Sequence, residues 1–480
     1  MQHTPKPFAA IIAALLASLA LGTSAQAASL DLPQRPRAAL KQQLVPESDV
    51  SVVVRDIATG ESLVEVNPGT PRVPASTMKI LPTFAALDIL GPAYTWKTTA
   101  LVDGPVSKGV LKGNLYLQGG GDPLMTIERW WRFVSDLRQT GIKTITGDIY
   151  IDATVFAPLG ESPEDFDGKG WRTYNALPNG LLVNLNSSEF IIRPSVEGYG
   201  VDIEVDPMPA NLQVDNRVRR VEGACRGRAG DVSIRNDPLN SSRVVVTGKM
   251  SSRCPAQVTR RVIMEPADYA YGTFVTLWRQ QGGEIKGGLQ KGPTPATARP
   301  ILKQDSLTLG EIIRVTNKFS SNAMARTLVL TLGAEKARKP ATTADGELVI
   351  NDWLKGRGLE FPELVIGNGS GLSREARISA DSMSRLLIAA ARSRFAPEFE
   401  ASLSLGGIDG TLRKRFAGVP DASRIRMKTG TLADASSLAG YVTGESGRTY
   451  AVVIFVNHRE AQNGPGEAIQ AAVVRWVMGQ

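Results

Sequence analysis

Ser76-Thr77-Met78-Lys79 places a hydroxyl and an amine three residues apart, on one face of a helical turn. A serine becomes a nucleophile when a base takes its proton and nearby donors receive the charge developing on the substrate oxygen. Histidine is the commonest such base, but this chain of 480 residues has only two, His3 and His458. His3 falls in a targeting segment, so a Ser-His-Asp triad would rest on His458 alone. A lysine base is the simpler reading. No His-Glu-x-x-His pattern occurs, and one remaining imidazole cannot make a His-rich metal site, so neither a metal nor an organic cofactor is expected. Ser76 also opens the expected helix, where the dipole favours developing negative charge. Taken alone, however, Ser-x-x-Lys is more commonly a capping serine followed by a surface lysine.

Its company changes that. Ser76 is the only serine with a lysine three residues on, Ser320-Ser321-Asn322 is the only Ser-x-Asn, and Lys428-Thr429-Gly430 is the only Lys-Thr-Gly. The first opens a helix, the second lies between two helices, and the third precedes a strand in a segment that should itself be extended. This ordered trio resembles the active site of the penicillin-binding proteins and serine β-lactamases. The long insertion between the first two motifs narrows the resemblance to the class C low-molecular-mass penicillin-binding proteins, the penicillin-binding protein four type of D-alanyl-D-alanine carboxypeptidase/endopeptidase. Supporting stretches are Gly119-Gly120-Gly121-Asp122-Pro123, Tyr174-Asn175-Ala176, the run from Asn368 through Ser370 to Arg374, and Gly407-Ile408-Asp409-Gly410-Thr411-Leu412. They spread the resemblance over essentially the whole chain beyond the targeting segment.

The resemblance implies a serine DD-peptidase that acts on peptidoglycan stem peptides and is acylated by β-lactam antibiotics. Ser76 would attack the carbonyl of the penultimate D-alanine, with Lys79 as base. Ser320 would relay a proton to the leaving amine, and Asn322 would bond the substrate backbone or Lys79. Lys428 and Thr429 would hold the terminal carboxylate, with Gly430 completing the motif. The N–H groups of Ser76 and Thr431 would form the oxyanion hole. A lysine base must be neutral, and both burial and a second cation, Lys428, push its pKa down. A diaminopimelate side chain ends in an amine and a carboxylate; the family positions that read it fall on Asp152 and Arg374, the latter suited to a bidentate grip. Asp152 reads equally as a strand-end turn residue, and Arg374 as a surface charge.

The sequence also departs from that pattern. Ala433 stands where better-known members carry a glutamine, which bears on stem-peptide recognition, and Pro82 lies inside the nucleophile helix. A serine β-lactamase is the alternative enzyme; Glu347 and Asn351 match the spacing of one lactamase base motif. A cell-wall binding module without catalysis is the alternative from another class. His458 reads as structural.

The elements that must position these residues form an α+β, multi-domain chain. A hairpin over 51–66, a helix over 76–90, helices near 307–318, 323–332, 346–355 and 380–393, strands near 437–443 and 448–457 and a last helix over 467–478 make one penicillin-recognising serine transpeptidase/β-lactamase-like domain, an antiparallel sheet with helices. Neither end of the chain has enough partners to fold alone, so that domain is expected from 28–91 plus 295–480. It is split by a large insertion forming two smaller, β-rich domains, 92–180 plus 265–294 and a nested 181–264, with a Pro/Thr/Ala-rich boundary at 292–300. Residues 1–27 read as a secretory signal peptide: Lys6, an apolar run from Phe8 to Gly22, then Ala25-Gln26-Ala27. The run is shorter than the ~18–20 residues that span a bilayer. A periplasmic protein follows, with loose membrane association left open and no transmembrane segment in the mature chain. Export makes nucleic acid an unsuitable partner for the net charge of +8. It also makes Cys225 and Cys254, the only cysteines, an expected disulfide, the alternative being two buried thiols.

Overall fold

The computed structural model describes residues 30–225, 231–237 and 239–480; the expected signal peptide lies outside them. Six antiparallel strands form the central sheet, in the order Ser404–Leu405, Ile425–Leu432, Ala435–Thr443, Thr449–Asn457, Val50–Asp56 and Ser62–Val66. The two ends of the chain therefore meet in one sheet, Val53 opposite Val453. Ala435–Thr443 and Thr449–Asn457 are buried on both faces along nearly their whole length. Alternation explains how. Val53, Ala439, Val453 and Phe455 face a cluster with Phe84, Leu328 and Leu387, whereas Val52, Leu438, Val452 and Ile454 face one with Ile469, Val473 and Val477. The last helix, Pro465–Met478, thus packs on its own sheet. No helix among the described residues is long and apolar enough to cross a membrane.

The insertion is built differently. A five-stranded sheet runs Leu289–Lys291, Ile149–Asp152, Leu115–Gly119, Lys97–Val102, Arg299–Asp305, beside two three-stranded sheets drawn from 187–262. Two helices, Ile127–Gln139 and Pro266–Gln280, cover these sheets with Trp130, Phe133, Phe274 and Trp278. These aromatics share one apolar cluster with Phe190, Ile192, Val244 and Val246, so the two β-rich parts have a common core. Cys225 and Cys254 are disulfide-bonded.

Three elements differ from expectation. The helix Pro266–Gln280 was not anticipated, although Pro266 in its first turn and aromatics at Tyr269, Phe274 and Trp278 are legible as a helix start and face. The catalytic part was expected to resume at 295, yet Arg299–Asp305 pairs with Lys97–Val102 in the sheet of the insert. The Pro/Thr/Ala-rich stretch is a loop feeding a return strand whose charged residues hid it. Finally, 75–79 is a 3₁₀ turn, and the regular helix starts at Ile80. That places Pro82 in the first α turn, where its missing N–H breaks no bond of the regular helix.

Candidate active site

Ser76 sits in the 3₁₀ turn Ala75–Lys79, half-buried at the end of the central sheet. Ala75 before it has φ +46°, a left-handed conformation that costs a non-glycine residue about 1–3 kcal/mol. The surroundings impose it. The side chain of Asn457 grips Val73 at both ends, accepting from its N–H at 2.8 Å and donating to its carbonyl at 3.1 Å. Gly371, also at positive φ, lies so close that a Cβ there would collide with the Ala75 carbonyl. On the other side the strand Ile425–Leu432 passes so near that a Cβ on Gly430 would stand 2.7 Å from the Ser76 nitrogen. Gly430 is required for this approach, which the Lys-Thr-Gly motif alone did not explain.

Lys79 is completely buried (0% exposed). Its Nζ lies 2.9 Å from Ser76 Oγ, 2.7 Å from Asn322 Oδ1 and 2.5 Å from the Ser370 carbonyl. Burial, and after it the charge of Lys428, hold its pKa well below that of an ordinary lysine. A neutral amine has two hydrogens and one lone pair. The Ser370 carbonyl can only accept, and the Asn322 amide presents its oxygen because its Nδ2 donates to the Tyr174 carbonyl at 2.9 Å. In a neutral Lys79 both hydrogens would be committed to these acceptors, which would leave the lone pair for the hydroxyl hydrogen of Ser76.

Ser320 lies between the helices Leu309–Phe319 and Asn322–Lys336, as expected, and has φ +57°. Its Oγ accepts from Lys428 Nζ at 2.8 Å, and Lys428 also donates to the Thr429 carbonyl at 2.7 Å. Lys428 is likewise 0% exposed, and burial lowers its pKa to about 7. Thr429 Oγ1 is half-exposed and bonds Thr411 Oγ1 at 2.8 Å. Thr411 belongs to a loop anchored by a residue that sequence reasoning missed: Lys318 Nζ pairs with Asp409 at 2.6 Å and donates to the Leu403 carbonyl.

Ser76, Ser320, Asn322 and Thr431 open together into a cavity of about 660 Å³, whose outer wall includes Arg374, Tyr174 and Asp167. Arg374 is exposed and stacks over the Phe166 ring, 5.6 Å from its centre. Asp152 is not among the residues that line this cavity. It is 1% exposed, with four bonds accepted: from the N–H and hydroxyl of Thr154, from Gln118 Nε2 and from the Thr294 N–H. Burial raises its pKa, but those bonds outweigh it and hold the carboxyl below the usual range. Asp167, in a segment whose sequence carried no motif, is an acid that does line the cavity. Glu347 and Asn351 lie on the helix Thr343–Gly356 and do not line the cavity. His458 directly follows the strand Thr449–Asn457, its Nδ1 accepting from the Glu460 N–H.

A buried, proton-poor lysine against a serine, a second lysine against a second serine and one shared cavity define a serine acyl-transfer enzyme of the penicillin-recognising type. The chain belongs to the D-Ala-D-Ala carboxypeptidase 3 (S13) family, which matches it over residues 35–479. It is 31% identical to the D-alanyl-D-alanine carboxypeptidase of Actinomadura sp. (strain R39), over 95% of this chain and 86% of that one. The D-alanyl-D-alanine carboxypeptidase DacB of Haemophilus influenzae is 24% identical, over 92% of each chain. In fold, the chain is similar to the crystal structure of penicillin binding protein 4 from Haemophilus influenzae, with a TM-score of 0.77 at 23% identity, covering 94% of this chain and 100% of that one. The Bd3459 predatory endopeptidase of Bdellovibrio bacteriovorus is more distant, with a TM-score of 0.53 at 15% identity, covering 90% and 94%. The protein is a serine-type D-Ala-D-Ala carboxypeptidase.

Proposed function

We propose that Ser76 is the nucleophile and Lys79 its base. The observation that carries this reading is the proton inventory of Lys79, whose two hydrogens face obligate acceptors and whose remaining partner is the Ser76 hydroxyl. Ser76 Oγ attacks the carbonyl of the penultimate D-alanine as its proton passes to Lys79, and the N–H groups of Ser76 and Thr431 receive the oxyanion. Collapse breaks the peptide bond, and Ser320, fed by Lys428, protonates the departing amine. Water then releases the acyl-enzyme. The terminal carboxylate of the substrate sits against Thr429 and Lys428. With its pKa near 7, Lys428 gains a proton more readily once that carboxylate arrives.

The leaving group is a free D-alanine or the side-chain amine of a neighbouring stem peptide, so the same acyl-enzyme supports carboxypeptidase and endopeptidase turnover. For a diaminopimelate side chain, Arg374 takes the carboxylate, and the amine falls to an acid, Asp167 on the cavity wall or Asp152 at the family's position. The work is done in the periplasm after removal of residues 1–27. Limits of 28–91 plus 306–480 for the catalytic part are a reading supported by the end of the insert's last strand at Asp305.

The test is intact-protein mass spectrometry after brief incubation with benzylpenicillin. One penicilloyl adduct on the wild type, slowly lost, and none on Ser76→Ala is the expected result. An adduct that persists on Ser76→Ala refutes the assignment, and rapid turnover of the adduct marks a β-lactamase.

A further inference from the structure

The short turn Thr173–Asn175 belongs to the insert by sequence, yet it rests against the catalytic helix Asn322–Lys336. Its contribution there is one carbonyl. Tyr174 O accepts from Asn322 Nδ2 at 2.9 Å. The turn is held from behind by Asp167, which accepts from the Tyr174 hydroxyl at 2.6 Å and from Asn175 Nδ2 at 2.8 Å. Asn175, 4% exposed, also donates to the Lys169 carbonyl at 3.0 Å.

A carboxamide can turn over by half a revolution with almost no change of shape, so its hydrogen-bond partners alone decide which end faces where. A carbonyl accepts and never donates. The Tyr174 carbonyl therefore demands the NH₂ end of Asn322 and leaves the oxygen end on Lys79. We propose that the Asp167–Tyr174–Asn175 unit of the insert is a positioning element for the catalytic base: it fixes the orientation of Asn322 and so reserves the lone pair of Lys79 for the Ser76 hydroxyl. With the carboxamide reversed, its NH₂ would donate into that lone pair and compete with the serine. The insert thus shapes the reaction through one amide, besides walling the substrate cavity. The proposal rests on the assignment of Lys79 as base.

The two structural states differ in what they do to Lys79, and that makes the pH profile informative. A donor aimed at the lone pair favours the neutral amine, so its protonation moves to lower pH while its capacity to accept the serine proton falls. Lys428 is the charged group bearing on Lys79 among the described residues; its other partners, Ser76, Asn322 and the Ser370 carbonyl, are neutral.

The experiment is the acylation rate of the full chain by benzylpenicillin across pH, for wild type, Asn175→Ala, Asn322→Ala and the double variant. Asn175→Ala is expected to acylate about ten- to a hundredfold more slowly, the scale of a small misplacement in an active site, with the acid limb moved to lower pH. On the Asn322→Ala background the same substitution is expected to cost less than about twofold, because the two act as one unit. Losses that multiply in the double variant, or an unchanged rate in Asn175→Ala, overturn the proposal. Tyr174→Phe removes only the hydroxyl bond to Asp167 and keeps the ring. It is expected to lose a few-fold with the same non-additivity, and it decides the matter if Asn175→Ala does not fold: a wild-type rate overturns the proposal. A wild type that forms no adduct is a separate outcome, which removes the Ser76–Lys79 assignment and this proposal with it.

Discussion

The catalytic part and the insert bury opposite things. Around Ser76 two lysines are wholly enclosed, their hydrogens spoken for by Asn322 and the Ser370 carbonyl in one case and by Ser320 and the Thr429 carbonyl in the other. In the insert the enclosed side chains are rings: Trp130, Phe133, Phe274 and Trp278 stack against one another, and its edge strand Gln213–Val221 leaves Arg217 and Arg219 to solvent. Enclosing an amine weakens a fold and enclosing a ring strengthens it. The molecule therefore keeps its unfavourable chemistry in a domain sealed on both sheet faces, and adds to it a module stabilised by ordinary apolar burial and a disulfide.

That contrast can be tested in descending order of effect. Lys79→Met keeps the shape and removes the amine; acylation should fall by roughly 10²–10⁴, while the melting temperature holds or rises because a costly buried group has gone. A drop in melting temperature would mean that the lysine network stabilises the domain. Trp278→Ala should do the reverse, costing about 3–5 kcal/mol of stability in a urea titration, with near-normal penicillin acylation by the molecules that remain folded. Third comes pH. Unfolded lysines hold their proton to near 10.5, whereas folded Lys428 releases it near 7. Between those values the unfolded chain binds more protons, so stability should rise with pH across that window. Lys428→Met should flatten the rise in urea midpoint; an unchanged slope would show that the charge is carried without penalty. The smallest effect is on recognition: beyond the slower acylation common to all substrates that follows from loosening Tyr174 and Asn175, Asp167→Asn should raise KM several-fold for a peptide ending in a zwitterionic side chain and little for one ending in an acyl-lysine. Equal changes for both peptides would remove Asp167 from side-chain reading.

Much of this was legible because the chemistry is local in sequence. Ser76 and Lys79 share a turn, Ser320 and Asn322 share a helix junction, and the strands of the central sheet read as apolar runs because both faces are covered. What escaped was set by distance and by backbone. Ser370 and Tyr174 lie in stretches that the resemblance marked, but they act through carbonyls, which every residue has, so no side-chain pattern could announce what they do. Asp167 lies in a polar loop with no periodicity. Asp152 stands at the matching motif position, but neighbours from 118 and 294 absorb its oxygens. The return strand Arg299–Asp305 lacks the apolar alternation by which strands are read.

The clamp of Asn457 on Val73 has a consequence in time. These residues stand 384 positions apart, and the strand carrying Asn457 is also the one that pairs with Val50–Asp56. A chain synthesised from its N-terminus presents the nucleophile early and its anchor almost last. The insert, whose sheets draw on 97–305, can close while the C-terminal strands are still to be made. The hydrolase therefore comes into being only with the final stretch of polypeptide, and a chain cut short before Thr449 is expected to carry a folded insert and an inert serine.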